Sequence, residues 1–230
     1  METFKLLALC IGPGLAIGIY VFWRDKFDRE PLRLMIHCFV LGVLSVGVTL
    51  LLSKLLKIVV SPNTQSVGGL AIYAFINVAL VEELSKFLFL RSFAFNKKEF
   101  NEPYDGITYS VMIGMGFATM ENVLYVFNQE TYHLSMYVGI IRMFTAVPAH
   151  AAMAVMMGYY AGMAKFNKPN FSFLLMGLTA AVIFHGAYDF FLMLKSYPFM
   201  FIGGLVSLVV CIWFSFKAIR LHQQVSPFVK

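Results

Sequence analysis

Charge is scarce in this sequence. Of its 230 residues, 13% are Asp, Glu, Lys or Arg and 60% are hydrophobic, whereas soluble domains carry about 25% charged residues. A water-soluble core of this size cannot enclose so much apolar surface, and disordered chains require the opposite composition. The mean hydropathy of +0.76 predicts an integral membrane protein, a single domain over residues 1–230, with the lipid bilayer as its surroundings and no nucleic-acid partner.

The sequence also has few cysteines and no alternation of polar and apolar residues. The three cysteines, Cys10, Cys38 and Cys211, each lie in an apolar run, so we expect buried thiols and no disulfide framework. Strands of a membrane barrel alternate in polarity at every second residue, and no such alternation is present. The apolar runs are continuous, which favours membrane-spanning helices.

Seven apolar runs are long enough to cross a bilayer, since about 20 residues suffice for a helix. They predict an all-α, polytopic fold. The runs cover approximately residues 4–23, 34–57, 68–90, 105–127, 135–163, 171–194 and 198–217.

Lys and Arg residues between these runs predict the orientation. Twelve lie on the side that carries residues 24–33, 91–104 and 164–170 and the C-terminal tail, and four lie on the other side. Because basic loops stay in the cytoplasm, we expect the N-terminus outside the cell and the C-terminus in the cytoplasm.

Eight ionisable side chains interrupt spans three to six. A charged group in the hydrocarbon costs at least about 2.5–3.5 kcal/mol on insertion scales, so such residues indicate function. We therefore expect a four-helix catalytic core formed by spans three to six, with the other spans as support. The eight residues are Glu82, Glu83, Lys86, Glu121, Arg142, His150, His185 and Asp189.

Helix geometry predicts how these groups meet. Glu82 and Lys86 are four residues apart, as are His185 and Asp189, so each pair shares one helix face. Glu83 is turned by about 100° from Glu82, so one glutamate faces a cavity while the other contacts a neighbouring helix. The ionised set has four carboxylates and two cations, a surplus that requires added protons or a divalent metal.

Four motifs on successive spans resemble the PrsW family of bacterial intramembrane proteases, which is related to the type II CAAX prenyl endopeptidases. Residues 82–86 fit E-E-x-x-K, residues 117–121 fit F-x-x-x-E, and residues 185–189 fit H-x-x-x-D, with Arg142 and His150 between them. The charged loop after span one, D-K-F-D-R-E-P, is also similar to that family.

The resemblance implies a bacterial cell-membrane enzyme that makes the site-1 cut in a single-pass, membrane-anchored anti-sigma factor during a stress response. A second intramembrane protease then frees the sigma factor. The CAAX relatives are glutamate-type proteases without an obligatory metal, which implies no cofactor. They carry F-x-x-x-H and H-x-x-x-N, where this chain has Glu121 and Asp189.

On these residues we expect a carboxylate base, because no Ser-His-Asp arrangement and no H-E-x-x-H motif is evident. Glu82 or Glu83 would take a proton from water, and Glu121 would help to hold that water. His185 would stabilise the oxyanion and be oriented by Asp189. Supporting or substrate-positioning roles remain for Lys86, which would pair with Glu82, and for Arg142 and His150.

Two alternatives remain open. The same region could bind zinc through Glu83, Glu121, His150 and His185, with water in an open position. A proton-coupled transporter or channel would also need buried acidic and imidazole groups, and Pro148 could break span five as transporter helices often do.

Overall fold

The computed structural model describes residues 1–166, 171–194 and 197–228. Within these ranges the regular structure is helical and no strand occurs. The α-helices are α1 Glu2–Arg24, α2 Leu32–Val59, α3 Val67–Ile72, α4 Val81–Ser92, α5 Pro103–Phe127, α6 Tyr132–Phe144, α7 Ala146–Phe166, α8 Phe171–Met193 and α9 Phe201–Gln224. A π-helical segment, Tyr73–Leu80, joins α3 to α4, and short 3-10 turns cover Ala94–Asn96 and Pro198–Met200.

Seven helical stretches in this part of the chain are long and apolar enough to cross a membrane. They coincide with the seven predicted runs to within several residues, so the all-α polytopic prediction is confirmed. The third stretch, Val67–Asn96, includes α3, the π-helical segment and α4, and the fifth, Tyr132–Phe166, includes α6 and α7. Lys168, Lys195 and Lys230, which contributed to the predicted orientation, lie outside the described residues.

The break in the fifth span has a local cause. Pro148 has no backbone N–H, so the carbonyl of Phe144 cannot receive the usual bond from four residues ahead. The first helix ends at Phe144, and the chain turns at Thr145 before α7 begins at Ala146. This predicted break lies directly beside the cavity described below.

Helix α5 is the central element. Most of its residues are buried, on every face of the helix, and it packs against α1, α2 and α7. Small residues permit the closest approaches. A Cβ atom added at Gly158 of α7 would lie 2.6 Å from the Cα of Ile107, and one added at Gly116 would lie 2.9 Å from the carbonyl carbon of Phe39 on α2.

The outer helices present their large apolar side chains to the surroundings. Leu15, Leu51 and Trp213, on α1, α2 and α9, are each at least 45% exposed, as expected for side chains that face lipid. The three cysteines are free thiols buried on the inner faces of these same helices.

Replacement of Gly158 by Ala should destabilise the fold, because the added methyl group forces α5 and α7 apart. Overpacking of this kind costs about 1–3 kcal/mol, which thermal unfolding in detergent would show as a lower midpoint. Gly47→Ala on α2 is the matched control, since a Cβ there meets nothing within 4 Å. Equal midpoints for the two variants would contradict the close packing.

Candidate active site

One cavity of about 240 Å³ lies between α4, α5, α6, α7 and α8. Six of the eight ionisable residues of spans three to six line it: Glu82, Glu121, Arg142, His150, His185 and Asp189. The rest of the wall is mostly aromatic or apolar, and includes Tyr73, Tyr125, Ile141, Tyr188, Leu192 and Met193. Glu83 and Lys86 are buried just behind this wall.

Glu83 is fixed by two partners behind the cavity. Its Oε1 accepts a hydrogen bond from Lys86 Nζ at 2.7 Å and one from His185 Nδ1 at 2.8 Å. The side chain is 1% exposed, so both bonds are shielded from solvent. Because a carboxylate can only accept, His185 carries its proton on Nδ1, and its Nε2 points away from Glu83.

Glu121 is fixed by a second set of partners. Its Oε2 accepts from Arg142 Nη2 at 2.6 Å and from His150 Nε2 at 2.9 Å. Arg142 also donates through Nε to Asn122 at 2.7 Å, so its guanidinium bridges two consecutive residues of α5. Asn122 was not a sequence candidate, although its position beside Glu121 on a membrane-spanning helix could have identified it.

Lys86 links the two sets. Besides Glu83, its Nζ contacts His150 Nδ1 at 3.1 Å and lies 4.0 Å from the centre of the Phe117 ring. Since His150 donates through Nε2 to Glu121, its Nδ1 carries the lone pair and accepts from the ammonium group. The first residue of F-x-x-x-E therefore forms a cation–π contact in addition to packing.

Glu82 differs from Glu83 and Glu121, because its buried Oε2 has no hydrogen-bond partner. That oxygen makes only the longer ion-pair contacts, at 3.8 Å from His185 Nε2 and 4.0 Å from Lys86 Nζ. Asp189 Oδ2 approaches the same Nε2 atom at 3.4 Å from one turn further along α8. Glu82 Oε2 and His185 Nε2 thus face each other across the polar end of the cavity.

Two features of the site differ from the sequence expectations. Lys86 was expected to pair with Glu82 at spacing i, i+4, and its Nζ does lie within ion-pair distance of Glu82, at 4.0 Å, but its hydrogen bond goes to Glu83 at spacing i, i+3, which helix geometry allows equally well. The π-helical segment before Glu82 was also missed, because an uninterrupted apolar run gives no signal for the wider turns of a π-helix. Such segments often mark functional sites.

The residues fit a metal ion, although with a different ligand set from the one suggested by sequence. Donor atoms of Glu82, His150 and His185 lie within 4.8 Å of one another, and two imidazoles with a carboxylate are suitable ligands for zinc. The unpaired Oε2 of Glu82 is consistent with this fit. Glu83 and Glu121, named earlier as ligands, instead bond to the imidazoles, as carboxylates around metal sites do.

Comparisons with known proteins identify the family of this chain. A family profile described as "PrsW family intramembrane metalloprotease" matches residues 30–218. Protease PrsW of Geobacillus kaustophilus (strain HTA426) is 35% identical, with 84% of this chain and 82% of that protein covered. Protease PrsW of Clostridioides difficile (strain 630) is 38% identical, with 79% and 77% covered.

Protease PrsW of Bacillus subtilis (strain 168) is 31% identical over 82% of this chain and 83% of that protein. No solved structure matches the chain. The relatives are named as proteases, so the comparisons support an enzyme and give no support to the transporter alternative. This multi-pass membrane protein is a peptidase, and it belongs to the PrsW family of intramembrane proteases.

Proposed function

We propose that this chain makes the site-1 cut in a membrane-anchored anti-sigma factor, using water activated by Glu82. One observation carries the mechanism: Glu82 Oε2 is buried, accepts no hydrogen bond and belongs to the wall of the cavity, 3.8 Å from His185 Nε2. A general base needs a free lone pair within reach of its water, and a base of this kind contributes about 10²–10⁴-fold to a rate.

The other carboxylates are less suited to that role. Glu83 accepts from Lys86 and His185, and it lies behind the cavity wall. Glu121 accepts from Arg142 and His150 with one of its oxygens, so that oxygen is already occupied. Between the two adjacent glutamates, the geometry favours Glu82 as base and Glu83 as the residue that orients His185.

His185 is placed to stabilise the oxyanion. Its Nδ1–H is held by Glu83, which fixes the ring plane and aims Nε2 at the cavity. When Nε2 is also protonated, the ring can donate there to a developing oxyanion while Asp189, at 3.4 Å, balances its charge. After the attack, Glu82 returns its proton to the leaving nitrogen, so no proton is left over.

The topology supports a cut near the outer membrane face. The cavity reaches Tyr125 and Met193, near the C-terminal ends of α5 and α8, and these ends lie on the same side as the N-terminus of α1. The Lys and Arg distribution assigns that side to the cell exterior. A site-1 protease acts there on a single-pass substrate. The resemblance to the PrsW family implies that this substrate is an anti-sigma factor.

A second mechanism is supported by Glu82, His150 and His185, whose donor atoms are grouped closely enough to hold a metal ion. A zinc ion held there would supply Lewis acidity and lower the pKa of a bound water. Glu83 would then orient His185, and Glu121 would orient His150. In this arrangement Lys86 must leave His150 Nδ1, because that lone pair is already accepting from Nζ.

Replacement of Glu82 by Gln should lower cleavage by about 10²-fold or more, since the amide cannot take a proton. The substrate is a candidate single-pass anti-sigma factor co-expressed with the enzyme, and a truncated fragment on an immunoblot reports the cut. Glu99→Gln, at an exposed site outside the cavity, is the matched control. Normal cleavage by a folded Glu82→Gln variant would refute the proposed base.

Replacement of Lys86 by Met should destabilise the protein by about 3–5 kcal/mol, because it leaves Glu83 as a buried, uncompensated charge. The double variant Lys86→Met with Glu83→Gln should recover most of that loss, since the charge is then removed. Unfolding midpoints in detergent are compared for three variants: Lys86→Met, Glu83→Gln and the double variant. Additive losses would show that the two side chains do not form a buried ion pair.

Metal removal distinguishes the two mechanisms. The carboxylate mechanism predicts that purified enzyme, exhaustively chelated and shown by elemental analysis to be metal-free, still cuts its substrate. The metal-dependent mechanism would instead be established by two results. The chelated enzyme would lose activity that only added Zn²⁺ restores, and His150→Ala would no longer bind zinc.

A further inference from the structure

A second acidic cluster lies at the opposite end of α5 from the cavity. Asp25 follows α1, Glu30 precedes α2, Glu102 caps the N-terminus of α5, and Asp105 lies in its first turn. All four are buried, with exposures between 0% and 4%. Asp105 precedes Glu121 by 16 positions, about 24 Å along the helix axis, so the cluster is separate from the active site.

Asp25 has unsatisfied oxygens aimed into this cluster. It is 0% exposed, and neither Oδ1 nor Oδ2 has a hydrogen-bond partner. The amide of Glu30 and the carboxyl of Glu102 are polar neighbours, but they make no bond of regular geometry with it. Oδ1 of Asp105 is likewise buried and unpaired.

The negative charge of the cluster is not offset by a basic group. Among the described residues, no Lys, Arg or His forms an ion pair with Asp25, Glu30, Glu102 or Asp105. The nearby Lys165 ammonium donates to the carbonyls of Phe95 and Lys97 instead. Burial, together with the neighbouring carboxylates, raises the pKa of Asp25 to about 8.

We propose that Asp25, Glu102 and Asp105 form a binding site for a hard divalent cation, Ca²⁺ or Mg²⁺. Oxygen atoms of the three carboxylates lie within 4.8 Å of one another. Two ligands of one Ca²⁺, each at 2.3–2.6 Å, are separated by at most about 5 Å, so these oxygens need little movement to share an ion. An all-carboxylate donor set prefers such cations to zinc.

The ion would join three parts of the chain. Asp25 belongs to the turn between α1 and α2, whereas Glu102 and Asp105 belong to the capping box of α5. Glu102 also accepts a hydrogen bond from Ser226, which follows α9 and covers the cluster. A bound cation would therefore hold the first, central and last membrane-spanning helices together at this membrane face.

Proton sharing among the carboxyl groups is the alternative. In that arrangement each of two carboxyl pairs shares one proton. The protons lower the negative charge of the cluster, so it can stay buried without an ion. The two cases predict opposite effects of Asp25→Asn. A neutral amide imitates a protonated carboxyl, but it removes a charged ligand from a cation site.

The test uses the full chain, purified in detergent and freed of metal. Thermal unfolding is followed with CaCl₂ and with MgCl₂ in separate series. We expect one of the two cations to raise the midpoint by about 5–10 °C near a hundredfold excess over its Kd. Asp25→Asn should lose this rise, whereas Asp28→Asn, in the same loop, should keep it.

Two further measurements keep the proposal falsifiable. Equilibrium dialysis of the native protein with radioactive Ca²⁺, and with Mg²⁺ followed by elemental analysis, should show one bound ion. Glu82→Gln should keep both the ion and the midpoint rise, which separates this site from the catalytic cavity. The absence of a bound ion would favour proton sharing and overturn the proposal. The same conclusion would follow if added cation did not change the midpoint and Asp25→Asn left it unchanged or raised it.

Discussion

The structure depends on the requirement that ionised groups inside a membrane satisfy one another. Each unpaired charge in a low-dielectric interior costs several kcal/mol, so the polar residues of this cavity form closed sets. Lys86, Glu83 and His185 form one set, and Arg142, Glu121 and His150 form the other. The contact between Lys86 and His150 joins the two sets, and Glu82 lies outside them, with a buried oxygen that accepts no hydrogen bond.

Packing and chemistry are linked through α5 and α7. The contact between Gly158 and Ile107 brings these helices close together, which allows His150 on α7 to reach Glu121 on α5. The break at Thr145 then directs Arg142, on α6, toward the same carboxylate. A larger residue at position 158 would therefore disturb the site as well as the stability of the fold.

Much of this arrangement could be predicted from the sequence. Apolar runs fix the number of spans, because a bilayer imposes a length on each one, and ionisable residues inside spans are rare enough to identify the cavity. Residue spacing also indicated that Glu82 and Glu83 face different directions. Their actual partners could not be predicted, because Glu83 reaches His185 across 102 positions of sequence and spacing describes only one helix at a time.

The acidic cluster shows a different limit of prediction from sequence. Asp25 and Glu30 follow one span, whereas Glu102 and Asp105 lie at the start of another. Residues at the ends of spans are normally hydrated. Their burial follows from the tertiary fold, since the chain after α9 returns to cover them and Ser226 bonds to Glu102. Sequence position alone gives the hydrated interpretation, and only the assembled fold reveals the unpaired oxygens.

Lys86 determines how the two mechanisms differ. Its ammonium group already provides positive charge beside Glu83 and His150, at 2.7 Å and 3.1 Å, and it lies 4.0 Å from Glu82. A metal ion that takes the lone pair of His150 Nδ1 must displace this ammonium, because one lone pair cannot serve both. If the metal were bound through this atom, the metal-free and metal-bound sites would be mutually exclusive arrangements of the same residues, and the position of the Lys86 side chain would distinguish them.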